Sequence, residues 1–171
     1  MEKEVLISRE EIEASVRKLA ENLSHEYEGR EVVFIGILKG SYIFMADLLR
    51  HVSVPHEIDF MRVASYGSGT ISSGEITITK DIESSIEGKD VVVIEDIIDT
   101  GITLSFLKER LMKDKPHSLR ICALLDKKDR RQVAIDADYV GFTIPDKFVV
   151  GYGLDYDEKF RSLPEIYVIK Q

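Results

Sequence analysis

Apolar runs and stretches of helical spacing alternate along this chain and predict an α/β fold. The runs 32–38 and 91–94 are continuous, apolar and largely β-branched, which is typical of strands covered on both faces. Alternation of apolar and polar residues in 75–79 predicts a further strand. The predicted strands are 32–38, 57–64, 75–79, 91–94, 119–125, 139–142 and 166–169. Because helical patterns separate many of these runs, we expect a mostly parallel twisted sheet with helices on both faces.

Helical patterns occur in three places. Ser8, followed closely by two glutamates, marks a helix start, and apolar residues recur at helical spacing from position 12 to position 23. Gly29 marks the end of this helix. A second helix is predicted after Ser41 and a third over 103–112.

Composition and charge narrow the class of protein. A length of 171 residues is consistent with one domain spanning 1–171. The 23 basic and 31 acidic residues give a formal net charge of −8, which argues against nonspecific binding to nucleic acid. An anionic small substrate is not excluded, because backbone amides, a few placed cations and Mg²⁺ can hold phosphates. We therefore expect no nucleic-acid partner.

The amino terminus and the single cysteine bear on location. The first four residues are charged apart from Met1, and no apolar segment with a cleavage site follows them, so no secretory signal is predicted. The run 32–38 falls far short of the ~20 residues that span a bilayer. Cys122 lies in an apolar stretch, where a buried inert thiol is favoured over a nucleophile. We expect a cytoplasmic protein with no membrane partner.

The segment 91–103 carries the candidate chemistry, because ligands gather at the carboxyl ends of parallel strands. Glu95 and Asp96 follow the most apolar predicted strand, and Asp99 then opens a Thr-Gly-x-Thr turn into a helix. This turn can present backbone N–H groups and two hydroxyls to a phosphate monoester. Gly101 permits close approach of the backbone to such a ligand.

The acid pair suits a ribose whose 5-phosphate lies in that turn. Glu95 and Asp96 could accept hydrogen bonds from the vicinal hydroxyls, directly or through Mg²⁺. The alternative is a strand that ends in solvated acids before a helix cap, which would explain one acid and a threonine but not the whole set. A receiver-type phospho-acceptor site also has acids at a strand end, but it lacks the glycine-threonine turn. The phosphate-sugar interpretation is favoured.

With these residues the sequence resembles the type I phosphoribosyltransferases. Segment 91–103 is similar to their signature for 5-phosphoribosyl-1-diphosphate, 38–41 to their diphosphate loop, and 65–67 to the opening of their flexible catalytic loop. Segments 125–128 and 144–156 resemble the base-recognition segments of the hypoxanthine-guanine (6-oxopurine) subgroup. The resemblance implies the type I fold, a mostly parallel twisted sheet flanked by helices with a small hood formed by terminal segments.

The resemblance also implies a role for each matched residue. The phosphate and ribose would be bound by Glu95, Asp96, Asp99, Thr100, Gly101, Ile102 and Thr103. The diphosphate would be bound by Lys39, Gly40, Arg131 and Arg161, with an unusual cis peptide between Leu38 and Lys39. Mg²⁺ is the implied cofactor, with Glu95 and Asp96 as ligands and with Asp155 helping to hold a second Mg²⁺ on the diphosphate. Some relatives carry lysine where this chain has Ile102, so the backbone amides and the two threonines must contribute more.

The implied base site consists of Lys127, Phe148, Val149 and Asp155. Lys127 would donate to O6 of a purine, which selects a 6-oxo group over the 6-amino group of adenine. Phe148 would stack on the ring, and Val149 would use its main chain at the ring edge. From the residues alone, 148–150 is more simply a core strand, and an isolated Arg161 is more often a solvated side chain.

Catalysis would depend on an acid and a loop. Asp99 would lie near N7 of the base and accept or relay a proton, although it could instead only shape the phosphate loop. The glycine- and serine-rich segment 65–74 would close over the reactants, with Ser65 and Tyr66 as its implied contacts. The alternative is a hairpin connection without a catalytic part.

The implied activity is purine salvage, including IMP biosynthesis. Hypoxanthine or guanine and 5-phosphoribosyl-1-diphosphate would give the nucleoside monophosphate and diphosphate, and the resemblance implies a homodimer or homotetramer. Three alternatives remain open: a regulatory protein that binds nucleotide and RNA on the same fold, a transferase for another base, and a non-catalytic homologue. The acidic balance disfavours the first, the base segments disfavour the second, and retention of the acids and Arg161 disfavours the third.

Overall fold

A computed structural model describes residues 1–65 and 75–170 of the chain. Its strands are β1 (Glu2–Ile7), β2 (Val32–Leu38), β3 (His56–Ser65), β4 (Ile76–Lys80), β5 (Asp90–Ile98), β6 (Ser118–Asp126), β7 (Tyr139–Thr143), β8 (Val149–Val150) and β9 (Ile166–Lys170). Its α-helices are α1 (Arg9–Glu26), α2 (Tyr42–Leu49) and α3 (Ile102–Met112), and a short 3-10 turn covers Lys128–Arg130.

The strands form two sheets. Six strands make the main sheet in the order β4-β3-β2-β5-β6-β7, in which every neighbouring pair is parallel except the antiparallel pair β3 and β4. The strands β1, β9 and β8 form a separate antiparallel sheet from the two ends of the described chain. The predicted parallel sheet and the terminal hood are therefore both present.

Buried apolar side chains on both faces of the main sheet hold the helices. On one face, α1 and α2 pack through residues such as Leu23 and Phe44 against Phe34 and Val92. On the other face, α3 packs through Leu107 against Val93 and neighbouring residues. Burial of such side chains is the main favourable term in folding, and it requires the doubly covered, apolar strands that the sequence shows.

The first helix begins as its sequence predicts. The hydroxyl of Ser8 accepts a hydrogen bond from the backbone N–H of Glu11 at 3.2 Å, and the Glu11 carboxylate accepts one from the backbone N–H of Ser8 at 2.8 Å. This reciprocal capping box satisfies two N–H groups that a helix start would otherwise leave unpaired.

Two features of the fold differ from the sequence prediction. β5 continues to Ile98, so Glu95 and Asp96 lie inside the strand rather than after it. β1 was not predicted, because its charged first residues carry no apolar pattern. Within the described ranges, no helix is both long enough and apolar enough to cross a bilayer.

Candidate active site

The predicted site residues gather at the carboxyl edge of the main sheet. β2, β5 and β6 are parallel neighbours there, and Ile98 pairs with Asp126 in the last register position. The backbone N–H of Lys127 donates to the carbonyl of Ile98 at 2.9 Å, which joins the ends of β5 and β6. This edge is where ligands bind in open parallel α/β sheets.

The turn after β5 leaves backbone donors available for an anion. Gly101 stands at the start of α3 with φ +85°, and no side chain caps the helix there. The Thr100 hydroxyl accepts from the backbone N–H of Ile102 at 3.3 Å. A side chain at position 101 would approach Ile135 within 2.6 Å, so the turn requires glycine for space as well as for its backbone angle. An uncapped helix start with close backbone access suits a phosphate.

Glu95 and Asp96 are shielded from solvent together. Glu95 is 9% exposed, and burial, reinforced by the charge of Asp96, raises the pKa of its carboxyl well above the ordinary value. Burial also raises the pKa of Asp96, while hydrogen bonds and the nearby charge of Arg161 act in the opposite direction. Arg161 supplies only part of the counter-charge for these two adjacent acids, so a cation or a pair of hydroxyl donors would stabilise their charged forms further.

This acid pair fits a hard cation, because carboxylate oxygens are the ligands that Mg²⁺ prefers. Asp155 stands apart from the pair: its carboxylate accepts from the backbone N–H of Glu158 at 2.9 Å and lies 3.5 Å from Arg161. Within the described part of the chain, no three or more acidic, histidine or cysteine side chains cluster as a metal site. Glu95, Asp96 and Asp155 therefore do not form one three-ligand group, and any metal role for Asp155 is separate from that of the pair.

The loop after β2 meets the acid pair. The peptide between Leu38 and Lys39 is cis, which confirms the sequence expectation. A side-chain carbon on Gly40 would lie 1.9 Å from a carboxylate oxygen of Asp96, and one on Gly153 would lie 2.1 Å from the Gly40 carbonyl oxygen. Three separate segments thus come together here, and only glycine at two of the positions allows the approach.

Lys39 and Arg161 are joined by an acid that the sequence analysis missed. Lys39 Nζ donates to Glu158 Oε2 at 2.8 Å, and Arg161 donates to Glu158 Oε1 at 3.2 Å. Arg161 also donates to the Gly153 carbonyl at 2.8 Å. Its Nε is buried and has no partner among the described residues, so a donor is available for a ligand.

Asp99 and Arg131 are held by contacts around the turn. Asp99 accepts from Arg130 Nε at 2.9 Å. Arg131 donates to the Asp99 carbonyl at 2.8 Å and to Asp126 at 2.5 Å, with only 14% of its side chain exposed. These contacts make Arg131 a support for the phosphate turn, and its role toward diphosphate stays a prediction.

The predicted base-site residues adjoin two strands: Lys127 directly follows β6, and Phe148 directly precedes β8. Lys127 is 7% exposed. Phe148 is 45% exposed and meets Tyr156 edge to face at 5.6 Å between ring centroids. Val149 is buried in β8 with Val150, whereas Phe148 is exposed and lies outside that strand, so the core-strand alternative for 148–150 describes two of its three residues. An exposed aromatic face and a largely buried lysine are groups that can hold a flat polar heterocycle.

Of the two predicted flexible-loop contacts, Ser65 and Tyr66, only Ser65 lies within the described residues. Ser65 is the last residue of β3 and pairs with Ile76. Tyr66 and the rest of the predicted lid, 66–74, lie outside the described residues. A separate cavity of about 450 Å³ lies between α1, α2 and residues 162–164, and its lining includes none of the predicted site residues.

Sequence reasoning missed Glu158 and the structural use of Asp126 and Gly153. Glu158 lies in a run of charged residues, 155–159, that is typical of a solvated loop. Asp126 directly precedes Lys127, which was the available signal, and Gly153 lies in the Gly-x-Gly of 151–153.

Comparisons with known proteins agree with this arrangement. The family model for the phosphoribosyl transferase domain matches residues 6–157. The chain is 52% identical over 166 residues to a "Bifunctional protein TilS/HprT" of Listeria innocua, covering 97% of this chain but only 26% of that protein, so it spans about a quarter of the length of such relatives. It is 52% identical over 166 residues to a "Hypoxanthine-guanine phosphoribosyltransferase" of Bacillus subtilis, covering 97% of this chain and 92% of that one.

A solved structure extends the likeness to the fold. The crystal structure of a hypoxanthine-guanine phosphoribosyltransferase from Bacillus anthracis, with a HEPES molecule in its active site, aligns with a TM-score of 0.93 and 48% identity over 98% of both chains. The resemblance and the fold class predicted from the sequence are confirmed. This chain belongs to the phosphoribosyltransferase family and has the family's type I fold.

Proposed function

We propose that this chain transfers a 5-phosphoribosyl group to a 6-oxopurine, releasing diphosphate. The observation that carries the proposal is the meeting, at one sheet edge, of a helix start suited to phosphate, the adjacent acids Glu95 and Asp96, and the buried Lys127. The names of the relatives support hypoxanthine or guanine as the base. The reaction would serve purine salvage, with IMP as one product.

Each part of the site would hold one part of the substrates. The turn 99–103 would bind the 5-phosphate through backbone N–H groups and the hydroxyls of Thr100 and Thr103. Glu95 and Asp96 would accept hydrogen bonds from the ribose hydroxyls. The diphosphate would be bound by Lys39, by the backbone at Gly40 and by Nε of Arg161, which has no hydrogen-bond partner among the described residues.

The exocyclic oxygen O6 would determine which purine base binds. Lys127 would donate to O6, and the 6-amino group of adenine, being itself a donor, would leave the ammonium unpaired. Phe148 offers a solvent-accessible ring face for stacking, and the Val149 backbone would meet the ring edge.

The chemical step exchanges one bond to C1 for another. N9 of the purine forms a bond to C1 while the bond from C1 to the diphosphate oxygen breaks, and the ribose ring carries positive charge in the transition state. Asp99 would accept or relay the proton that the base loses near N7. Arg161 would stabilise the charge that develops on the leaving diphosphate. Bound Mg²⁺, which we propose as the cofactor, would supply further stabilisation of that charge.

A spectrophotometric assay tests the proposal. The purified chain is given 5-phosphoribosyl-1-diphosphate, Mg²⁺ and one of hypoxanthine, guanine, xanthine or adenine. We expect turnover with hypoxanthine or guanine and none with adenine. Absence of turnover with every 6-oxopurine would overturn the proposal.

A pair of variants tests how the base is read. Lys127→Met keeps most of the buried volume and removes the donor, so kcat/KM for hypoxanthine should fall by about 10- to 100-fold, the range for a hydrogen bond from a charged group. Lys128→Met is the matched control, because Lys128 is exposed one residue away. Equal effects of the two substitutions would contradict the O6 contact.

Location and assembly are also proposals. Cys122 is buried as a free thiol, and free thiols are typical of proteins in the reducing cytoplasm, where we propose that this chain is located. Exposed apolar side chains, among them Tyr42 and Ile58, are available for a homodimer or homotetramer. Light scattering on the purified chain measures the assembly directly.

A further inference from the structure

Two of the side-chain cations assigned to the diphosphate, Lys39 and Arg161, share one internal carboxylate. Lys39 Nζ lies 2.8 Å from Glu158 Oε2, and an Arg161 guanidinium nitrogen lies 3.2 Å from Glu158 Oε1. Lys39 follows β2, whereas Arg161 comes from the segment before β9. A single carboxylate therefore joins cations from two distant parts of the chain, with one oxygen directed to each.

This bridge is accessible to a competing anion. The side chain of Glu158 is 62% exposed and that of Lys39 is 45% exposed, while that of Arg161 is 19% exposed. Exposed ion pairs are weakly held, because water solvates both partners. A diphosphate offers several oxygens at comparable spacing and carries more charge, so it can replace the carboxylate on both cations.

The backbone beneath Glu158 is fixed, although its side chain is solvated. The backbone N–H of Glu158 donates to the Asp155 carboxylate at 2.9 Å, and Tyr156 and Lys159 exchange backbone hydrogen bonds of 3.0 Å. Displacement of the carboxylate therefore needs only rotation of the Glu158 side chain, with the loop in place.

We propose that Glu158 is an internal competitor of the diphosphate group. Its carboxylate occupies Lys39 and Arg161 in the ligand-free protein, leaves them when a diphosphate-bearing ligand binds, and returns when diphosphate departs. Glu158 thus weakens binding of 5-phosphoribosyl-1-diphosphate and of free diphosphate without touching the base. This inference rests on the proposed function.

Glu158→Gln tests the competition, because it removes the charge and keeps the size of the side chain. Calorimetric titration with magnesium diphosphate should show binding about 3- to 10-fold tighter than in the unsubstituted chain, which corresponds to the loss of two exposed ion pairs. The inhibition constant of diphosphate and the KM for 5-phosphoribosyl-1-diphosphate should fall in parallel, and the KM for hypoxanthine should not change.

Asp157→Asn is the matched control. It removes the same charge one residue away, and the Asp157 side chain is exposed and has no polar contact among the described residues. Its effect on diphosphate binding should stay below about 2-fold, because solvent and salt screen a charge that makes no direct contact. An equal gain in Asp157→Asn and Glu158→Gln would overturn the proposal in favour of a general charge effect.

A second experiment, in a chain that carries Lys39→Met, tests whether Glu158 bridges Lys39 and Arg161. In a Lys39→Met chain, Glu158→Gln should give a smaller gain, because only Arg161 remains to be released. A gain of the same size would show that Lys39 takes no part and would overturn the bridge. Unchanged or weaker diphosphate binding in Glu158→Gln would overturn the competitor role, while turnover of the unsubstituted chain would leave the proposed function intact. If the unsubstituted chain neither binds diphosphate nor turns over, both proposals fall.

Discussion

Asp99 is the residue to which we assign the proton transfer with the base. Its side chain is 44% exposed, and one carboxylate oxygen accepts from Arg130 Nε at 2.9 Å, which leaves the other without a side-chain partner among the described residues. An acid that remains open on one oxygen can serve as a base, whereas an acid that only shapes a turn would be expected to have both oxygens bonded to it.

Asp99→Asn separates these two roles. The amide keeps an acceptor for Arg130 but cannot take a proton, so kcat should fall by about 100-fold or more. Binding of 5-phosphoribosyl-1-diphosphate, measured by calorimetry, should change little. Asp129→Asn is the control, because Asp129 is exposed and has no such contact. Undiminished turnover in a folded Asp99→Asn protein would assign Asp99 a structural role only.

Tyr27 is a buried residue whose ionisation should affect the stability of the protein. It is 1% exposed at the end of α1, and its hydroxyl has no partner among the described residues. Its ring lies near two guanidinium groups, with Arg30 at 5.0 Å and Arg120 at 5.8 Å from the centroid. Burial raises the pKa of Tyr27 from 10.0 to about 12.

The raised pKa gives a pH dependence with a definite sign. Below pH 10 both folded and unfolded chains keep the phenol proton, and the contribution to stability is fully present. Between pH 10 and about 12 the unfolded chain loses this proton first, so the free energy of unfolding falls as pH rises. A shift of this size corresponds to up to about 3 kcal/mol across the window.

Tyr27→Phe should remove that pH dependence. At pH 7 the variant should be as stable as the unsubstituted chain, or more stable by about 1 kcal/mol, because it deletes a buried hydroxyl without a partner. Urea denaturation at pH 7 and pH 11 measures both effects. A loss of more than about 1 kcal/mol at pH 7 would mean that the hydroxyl has a stabilising partner.

At the scale of elements, the segment 151–155 packs closely against the loop after β2 because the glycines at the contact have no side chains. Gly153 has φ +100°, and its α-carbon faces the Gly40 carbonyl so closely that a methyl group would lie 2.1 Å from that oxygen. Tyr152 next to it donates from its hydroxyl to the Asp47 carboxylate on α2 at 2.5 Å. The segment thus connects α2 and the loop after β2 with β8, which directly precedes it.

Gly153→Ala should force these elements apart. The side chain is disfavoured at this φ by about 1–3 kcal/mol, and the contact with backbone oxygen adds to that cost. We expect a lower thermal midpoint and a higher KM for 5-phosphoribosyl-1-diphosphate. Gly29→Ala is the control: its φ is +77°, but nothing lies within 4 Å of an added carbon, so it should lose stability without a change in KM.

The elements also show how far the sequence can predict this fold. β2 and β5 were predicted because two-sided burial requires continuous apolar residues, and Val32–Leu38 was predicted with its correct limits. The extension of β5 through Glu95 to Ile98 was not, because the two acids interrupt the apolar pattern that predicted 91–94. β1 depends on pairing with β9, a contact 165 or so positions away that no local pattern encodes.

The same limit applies to the site. Residues within one motif, such as Glu95 and Asp96, could be predicted because the chemistry requires them at adjacent positions. Glu158 could not, since its significance comes from Lys39 and Arg161 meeting in space. Long-range convergence of charges is a property of the fold and has no local signature.

At the scale of the whole molecule, the proposed base site depends on both sheets. Lys127 directly follows β6 of the main sheet, which also carries Glu95 and Asp96, while Val149 lies in β8 of the hood. β9 is the central strand of the hood and pairs with β8 at only two positions, but with β1 at five. The placement of β8 therefore depends on a strand that β1 holds in register.

Removal of residues 1–5 should affect the base more than the sugar. The deletion keeps buried Ile7 and the cap at Ser8, but it removes four of the five pairs that hold β9. With β8 less well ordered, the KM for hypoxanthine should rise by about 10-fold, which is consistent with cross-strand pairs of 0.2–1 kcal/mol each. Calorimetric binding of 5-phosphoribosyl-1-diphosphate should change little, because the main sheet loses no strand.

The control for this deletion separates backbone pairing from charge. Glu2 and Glu4 lie 3.6 Å and 3.2 Å from Nζ of Lys170, and replacing both with glutamine removes these ion pairs while keeping β1 in the sheet. Exposed ion pairs contribute little, so this double variant should shift the KM for hypoxanthine by less than about 3-fold. If the glutamine variant and the deletion weaken base binding equally, the effect is electrostatic. If the deletion weakens base and sugar binding alike, the hood does not act on the base site separately, and the proposed link from β1 through β8 to the base is wrong.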